Sequence, residues 1–263
     1  MDRVLTGIEG LDRAIEGGVP QGRTIILQGP SGSGKTTMGL MFLLAGARNG
    51  EKCAYLTLEQ SPQEIINDNK RLLPDLEKYY DEKGIIIFDR SIRMDIISKP
   101  DPKVWFEDNP QSSVRGKTDR EDPRQFKKFV DNMFRELGEN NFKRLVIDSI
   151  NALCRKNKLM MKSLKQPYTE DDHYELVLNL VERAKELGIT CFLLTEWVGD
   201  IGPQSYESII GDGIIELHVN DALNSRAIVI RKLRGTSHGL KPLPFKFKEN
   251  EGIVVIHVSR GGI

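Results

Sequence analysis

Residues able to bind phosphate cluster in an eight-residue segment near the N-terminus, Gly29-Pro30-Ser31-Gly32-Ser33-Gly34-Lys35-Thr36. Its spacing fits the pattern G-x-x-x-x-G-K-[ST], in which glycines let backbone N–H groups converge on an anion. We expect Lys35 to reach the β- and γ-phosphates of a nucleotide, and the Thr36 hydroxyl to bind Mg²⁺. A plain glycine turn would explain neither side chain. The residues predicted here to bind the nucleotide are Gly29, Ser31, Gly32, Ser33, Gly34, Lys35, Thr36 and Thr37.

Two carboxylates follow strand-like apolar runs and extend this chemistry. Asp148 ends the run Leu145-Val146-Ile147, which is typical of a Walker B strand that delivers a metal-binding carboxylate beside the phosphate loop. Glu59 ends the strand-like run 53–58, which we expect to neighbour the strand before the phosphate loop. Glu59 would then lie where a general base for water belongs. A helix-capping or surface acid is the alternative, and position alone favours neither.

The elements that must hold these residues alternate between strand-like and helix-like segments. Strands are predicted at 25–28, 53–58, 85–89, 144–148 and 189–195, with helices at 38–48, 62–72, 123–137 and 172–187. This alternation predicts an α/β fold, a mostly parallel sheet with helices on both faces. The C-terminal runs 213–219, 227–233, 244–248 and 253–258 are joined by short loops, which suggests antiparallel strands added at one edge.

Composition limits the classes of protein to which this chain can belong. Its 263 residues fit one large domain, residues 1–263, and its formal net charge is zero, so any nucleic-acid binding needs a local basic patch. The three cysteines show no paired spacing, which favours a reducing compartment over a disulfide framework. No segment reads as a signal peptide or a membrane span. We therefore expect a cytoplasmic protein without membrane contact.

Two segments interrupt the alternation and are interpreted as insertions. Residues 90–122 are charged, contain proline and show little periodicity. Residues 155–172 begin with five basic and no acidic residues in eleven positions, between Arg155 and Lys165, and end with Glu170-Asp171-Asp172.

Several further motifs resemble those of one known family. The opening Gly7-Ile8-Glu9-Gly10-Leu11-Asp12 and the run 17–22 precede the phosphate loop as they do in a KaiC-type domain of the RecA superfamily. The stretches that also fit are Tyr55-Leu56-Thr57-Leu58-Glu59-Gln60-Ser61-Pro62, Ile147-Asp148-Ser149, Thr195-Glu196 and Arg231-Lys232-Leu233-Arg234-Gly235-Thr236-Ser237-His238. The resemblance runs from about residue 4 to the C-terminus, apart from the two insertions.

This resemblance implies a RecA-like three-layer core and an ATPase that assembles into a ring, commonly a hexamer, with ATP and Mg²⁺ between neighbouring subunits. Glu59 matches the catalytic glutamate of the family. Lys232 and Arg234 match the pair that reaches the γ-phosphate held by the neighbouring subunit. Leu233, between these two cations, is also predicted to bind ATP, and the loop after them is similar to a nucleotide-contacting segment, which adds Thr236 and His238.

The purpose of ATP turnover stays open among three hypotheses. The first is an oligomeric ATPase that signals to or regulates an unidentified protein partner. The second is a nucleic-acid-binding ATPase of DNA repair or recombination, similar to recombinase paralogues, with single-stranded DNA bound through Arg155–Lys165. A solvated loop or helix face is the competing interpretation of that basic run. The third is a kinase acting on itself at Ser208, where the neighbouring residue is Ile209 and a second hydroxyl is missing.

Overall fold

A computed structural model describes residues 2–89, 123–163, 169–196 and 209–256. The predicted insertion 90–122, Lys165 and Ser208 lie outside these ranges. The strands are β1 Arg3–Val4, β2 Val19–Pro20, β3 Thr24–Gly29, β4 Cys53–Thr57, β5 Ile85–Phe88, β6 Arg144–Asp148, β7 Thr190–Glu196, β8 Gly213–Asn220, β9 Ser225–Leu233, β10 Leu243–Lys248 and β11 Gly252–Val255. The helices are α1 Glu9–Ala14, α2 Lys35–Arg48, α3 Pro62–Asn69, α4 Asp75–Asp81, α5 Pro123–Glu139, α6 Ile150–Ser163 and α7 Glu170–Glu186.

Within the described ranges, the main sheet has nine strands in the order β11-β10-β9-β8-β3-β7-β6-β4-β5. The predicted α/β fold is confirmed, because β8, β3, β7, β6, β4 and β5 are parallel. The predicted antiparallel strands near the C-terminus are confirmed for β9, β10 and β11, which lie side by side at one side of the sheet. The first of the four predicted C-terminal strands, β8, is instead parallel to β3, since the chain crosses over before it.

The prediction that the run 53–58 neighbours the strand before the phosphate loop is wrong. β3 pairs with β7 and β8, whereas β4, which leads to Glu59, pairs with β5 and β6. Consecutive strands of a parallel sheet need a crossover helix, and nothing local in the sequence dictates how many positions that crossover spans. Two strands, β7 and β6, therefore separate β3 from β4.

Helices cover both faces of the sheet and create two hydrophobic cores. One core contains Leu11, Phe42 and Leu76 from the N-terminal helices, packed on Ile25 and Leu27 of β3. The other joins Met133, Leu153 and Val177 of α5, α6 and α7 to the opposite face of the sheet. The sheet is thus the middle layer of three, as a RecA-like core requires. None of the helices within the described ranges is long and apolar enough to cross a bilayer.

Local capping groups mark the observed helix starts, and several helix ends differ from the predicted ranges. Ser61 and Glu64 form a capping box that starts α3, and Thr169 and Asp172 form another that starts α7. α3 ends at Asn69 rather than at residue 72, and the separate helix α4 was not predicted. Most of the supposed insertion 155–172 belongs to helices, because α6 reaches residue 163 and α7 begins at residue 170.

Strand direction determines which chemical groups meet. The parallel strands β3, β4, β6 and β7 end at one edge, called here the carboxyl edge, and bring the phosphate loop, Glu59, Asp148 and Glu196 there. β9 runs the other way, so its last residues lie at the opposite, amino edge. Leu233 pairs with Gly213, and Gly213 pairs with Ile25 near the start of β3.

Candidate active site

The backbone of the phosphate loop depends on glycine for two different reasons. Gly32 and Gly34 have φ values of 72° and 108°, the left-handed region that glycine adopts without strain. Gly29 has no such angle, but a Cβ there would lie 2.5 Å from the carbonyl oxygen of Leu217 on β8. The loop therefore curls at two of its glycines, while the third permits close contact with the neighbouring strand.

Lys35 begins α2 and lies buried across the loop. Its Nζ donates to the carbonyl oxygens of Gly29 and Pro30, each at 2.8 Å, and lies 3.7 Å from Glu196 Oε1. Burial lowers the pKa of Lys35, and the nearby carboxylates of Glu196 and Asp148 oppose that effect. The loop thus fixes a cation on its inner side, at the start of a helix whose dipole also favours anions.

Thr36 and Asp148 form the oxygen pair expected of a magnesium site. Thr36 Oγ1 donates to Asp148 Oδ2 at 2.8 Å, and the Tyr55 phenol donates to the same carboxylate oxygen at 2.5 Å. Burial, followed by the neighbouring charge of Asp148, raises the pKa of Tyr55 well above its ordinary value, so the phenol keeps its proton. Hydroxyl and carboxylate oxygens are the hard ligands that Mg²⁺ prefers, so these residues fit the metal.

Glu59 lies at the same edge but is exposed and charge-paired. Its Oε1 accepts a hydrogen bond from Arg155 Nη2 at 2.9 Å, and the Glu59 side chain retains 56% of its exposure. The turn around it is held by Thr57, whose Oγ1 donates to the Gln60 carbonyl and accepts from the Gln60 N–H. Leu58 N–H bonds to the Asp148 carbonyl at 3.3 Å, which ties this turn to the metal-binding strand.

Three residues at the carboxyl edge had no assigned role in the sequence analysis. Glu196 ends β7 opposite Gly29, beside Lys35. Asn151 holds that strand end, since its Oδ1 accepts from Thr195 Oγ1 and from the Glu196 N–H at 3.1 and 2.8 Å. Tyr55 lies inside β4 and bonds to Asp148. The motif Thr195-Glu196 could have indicated a role for Glu196. The contacts of Asn151 and Tyr55 depend on strand order, which the motif does not contain.

Lys232 and Arg234 lie at the amino edge, near the buried Asp212, which directly precedes β8. Lys232 Nζ donates to the Gly211 carbonyl at 2.7 Å, and Arg234 Nη1 lies 3.5 Å from Asp212 Oδ1. Asp212 also accepts from Arg23 Nη1 at 2.9 Å. Burial, and then repulsion from Arg234, lowers the pKa of Lys232, against the attraction of Asp212. Along β3, four residues separate this edge from the phosphate loop, roughly 13 Å.

The loop after β9 is anchored to the N-terminus. Arg3 Nη1 donates to Thr236 Oγ1 at 2.9 Å, and Ser237 N–H donates to Glu16 Oε1 at 3.3 Å. His238 Nδ1 is buried and makes no hydrogen bond to any group in the described ranges. Leu233 is buried in the core, and its carbonyl accepts a hydrogen bond from the Thr236 N–H at 3.2 Å.

The other predicted site residues divide by location. Thr37 is buried behind the phosphate loop, where its hydroxyl donates to Asn69 Oδ1 at 3.2 Å. Within the basic run, Arg155 and Lys158 are exposed on α6, which makes the start of the run a helix face. Arg155 is already paired with Glu59. Lys35, Thr36, Asp148 and Glu59 thus share one edge, and Lys232 and Arg234 the other.

Comparisons with known proteins lead to one family. The family profile described as "ATPase: KaiC" matches residues 4–260. The circadian clock oscillator protein KaiC of Prochlorococcus marinus subsp. pastoris is 28% identical over 97% of this chain, which spans only 45% of that relative. The UPF0273 protein PH0284 of Pyrococcus horikoshii is also 28% identical, over 96% of this chain and 93% of its own length.

A solved structure with the same fold leads to the same family. The KaiC-like protein PH0186 of Pyrococcus horikoshii OT3 superposes with a TM-score of 0.72 at 29% identity, over 97% of this chain and 99% of the other. Combined with the phosphate loop, the Thr36–Asp148 pair and the profile match across almost the whole chain, this likeness shows that the chain belongs to the KaiC ATPase family.

Proposed function

We propose that this chain is a magnesium-dependent ATPase that works as a ring-shaped homo-oligomer, with each ATP held between two subunits. Membership of the KaiC ATPase family supports nucleotide binding and ATPase activity in general. The ring and the cross-subunit site go further and rest on the geometry of the two sheet edges. In this proposal hydrolysis serves signalling or the regulation of a protein partner.

The single observation that carries the proposal is the separation of the two sets of charged residues. Lys35 and Asp148 lie at the carboxyl edge, whereas Lys232 and Arg234 lie at the amino edge of the same sheet. Roughly 13 Å along β3 separates these two ends of the sheet, so we infer that neither Lys232 nor Arg234 contacts a phosphate bound at the loop of its own subunit. A second copy of the chain can supply these cations, since a head-to-tail contact joins different surfaces of two subunits and forms a ring when the rotation between them closes.

Each half of the site then has a distinct part in phosphoryl transfer. Lys35 and the loop N–H groups hold the phosphates, and Thr36 with Asp148 would hold Mg²⁺. Bound Mg²⁺ neutralises charge on the phosphate oxygens. Glu59 orients or deprotonates the attacking water once it leaves Arg155. Arg234 and Lys232 of the neighbouring subunit stabilise the charge that spreads over the γ-phosphate in the transition state.

A mixing experiment tests the division of the site between subunits. Glu59→Gln removes the proposed base and keeps Arg234, whereas Arg234→Ala does the reverse. We expect each variant alone to be nearly inactive. In an equal mixture that is dissociated and reassembled, roughly a quarter of the interfaces pair an intact Glu59 with an intact Arg234, so hydrolysis should recover to roughly a quarter of the wild-type rate.

Native mass spectrometry provides the control, because it shows whether the mixture contains mixed oligomers. Mixed oligomers that stay as inactive as either variant contradict the cross-subunit site. A monomer at every protein concentration, with constant specific activity, contradicts the ring itself. The same assay with and without single-stranded DNA tests the binding predicted for Arg155–Lys165, which otherwise stays a prediction from the sequence.

A further inference from the structure

Tyr55 is a buried tyrosine whose hydroxyl is directed at the candidate metal site. It is the third residue of β4, fully buried among the core residues on the α2 side of the sheet. β4 pairs with β6 so that Tyr55 lies opposite Val146. Asp148, two residues further along β6, projects to the same face, because side chains alternate along a strand. The phenol therefore reaches the carboxylate along this face of the sheet, from the direction of the core.

The hydrogen bonds of the Asp148 carboxylate are arranged unequally. Tyr55 Oη and Thr36 Oγ1 both donate to Oδ2, at 2.5 and 2.8 Å, since an ionised carboxylate can only accept. Within the described ranges, no group donates to Oδ1. Two donors on one oxygen prevent rotation of the carboxylate about its Cβ–Cγ bond. The other oxygen then keeps one direction and remains available.

The Thr36 hydroxyl is oriented by the same contact. Because its proton points to Asp148 Oδ2, the lone pairs of Thr36 Oγ1 face away from the carboxylate. Hydrogen bonds to a charged group are about twice as strong as neutral ones, so the phenol holds the acceptor of this bond firmly. One buried hydroxyl thereby orients both oxygen ligands that the proposed magnesium site offers.

We propose that Tyr55 is a positioning residue that sets the orientation of Asp148, and through it that of Thr36, for binding the divalent cation that accompanies the nucleotide. The inference rests on the proposed magnesium-dependent function. The competing explanation is a core tyrosine whose hydroxyl merely takes the nearest acceptor, as buried tyrosines generally need one. The two explanations differ in whether loss of the hydroxyl changes metal binding.

The test measures metal binding without turnover. Mn²⁺ is titrated, with detection by electron paramagnetic resonance, into the full chain saturated with a non-hydrolysable ATP analogue. For Tyr55→Phe we expect the half-saturating Mn²⁺ concentration to rise about fivefold, because one charge-assisted hydrogen bond is lost. Affinity for the analogue without metal should stay within about twofold, since the phenol is bonded to the Asp148 carboxylate and the phosphates are held by Lys35 and the loop N–H groups.

Tyr79→Phe is the matched control, because it removes the same atom from a half-buried tyrosine of α4. It should leave Mn²⁺ binding unchanged. An unchanged half-saturating concentration in Tyr55→Phe overturns the inference and leaves the hydroxyl a structural group. Asp148→Asn separates this outcome from failure of the proposed function, because a half-saturating Mn²⁺ concentration that is unchanged in Asp148→Asn rules out Asp148 as part of the magnesium site.

A second measurement keeps the native shape at position 55. In protein labelled with fluorotyrosine, we expect one fluorine resonance among those of the six tyrosines to shift as Mg²⁺ saturates the nucleotide complex. The shift arises because a bound cation draws charge from Asp148 and weakens the phenol hydrogen bond. The same titration on Asp148→Asn should shift none. Six resonances that ignore Mg²⁺ in the unsubstituted chain overturn the inference even if Tyr55→Phe fails to fold.

Discussion

The cations at the two edges of the sheet differ in burial and in the groups that they contact. At the carboxyl edge, the Lys35 side chain is 7% exposed and is bonded to two carbonyls of its own loop. At the amino edge, Arg234 keeps 56% of its exposure and lies against the buried Asp212. The burial and hydrogen bonds of Lys35 hold its ammonium group within the loop that is proposed to bind phosphate. Arg234 contacts Asp212 but stays largely exposed, which suits contact with another molecule.

The largest effect should come from the carboxyl edge. Lys35→Ala removes the cation proposed to bind the β- and γ-phosphates, so we expect ATP affinity and hydrolysis each to fall by more than about 100-fold. Calorimetric ATP binding and steady-state hydrolysis measure the two losses. Lys52→Ala, at an exposed lysine, is the control. ATP affinity within a few-fold of wild type would show that the loop does not hold the phosphates.

Arg234→Ala should separate hydrolysis from binding. Since Arg234 lies at the amino edge, we expect hydrolysis by the assembled protein to fall about 100-fold, while the affinity of the isolated subunit for ATP stays unchanged. Hydrolysis is followed against protein concentration, and binding is measured below the assembly range. Lys246→Ala removes an exposed lysine of the adjacent strand β10 and should behave as wild type. Equal loss of binding and hydrolysis would mean that both edges act within one subunit.

Stability should distinguish the two acids that face these cations. Asp212 is buried and bonds to Arg23, Arg234 and the Thr24 N–H, so Asp212→Asn should lower the free energy of unfolding by about 2 kcal/mol. Asp148 is half-buried and belongs to the proposed magnesium site, so Asp148→Asn should cost less than about 1 kcal/mol. Urea denaturation measures both. The reverse order would make Asp148 the structural carboxylate.

The smallest effect concerns alkaline pH. Because burial and Arg234 lower the pKa of Lys232, this lysine loses its proton at a lower pH than an ordinary lysine as the pH rises. Arginine stays charged in that range, so the ratio of Lys232→Arg to wild-type hydrolysis should increase by about threefold between neutral pH and about pH 10. The ratio cancels the titration of Lys35, which both proteins share. A constant ratio would remove Lys232 from the charge that assists hydrolysis.

Local patterns predicted the parts of the site that a single segment builds. Residues 29–36 contain the whole phosphate loop, and Asp148 follows its apolar strand directly, so spacing was sufficient for both. The predicted helix 38–48 and the strand at 144–148 were also found, because burial and periodicity act within a few residues. Helix α4 was missed, since it has only seven residues and follows closely on α3.

Contacts between distant segments could not be predicted in the same way. The interpretation of Glu59 assumed that β4 neighbours β3, but β7 and β6 lie between them. Strand order depends on how crossover helices pack on the sheet, which no local pattern records. The same limit applies to Arg155, whose pairing with Glu59 joins residues 96 positions apart.

By itself the sequence determined that this chain folds as an α/β protein around a phosphate loop, because glycine spacing, a lysine, a hydroxyl and flanking apolar runs are all local properties. Only the tertiary structure decided that Tyr55 bonds to Asp148 and that Lys35 meets Glu196. It also decided that Lys232 and Arg234 lie at the opposite edge from the phosphate loop of their own subunit. Strand direction is the physical reason, since parallel β3 and antiparallel β9 carry their final residues to opposite edges of one sheet.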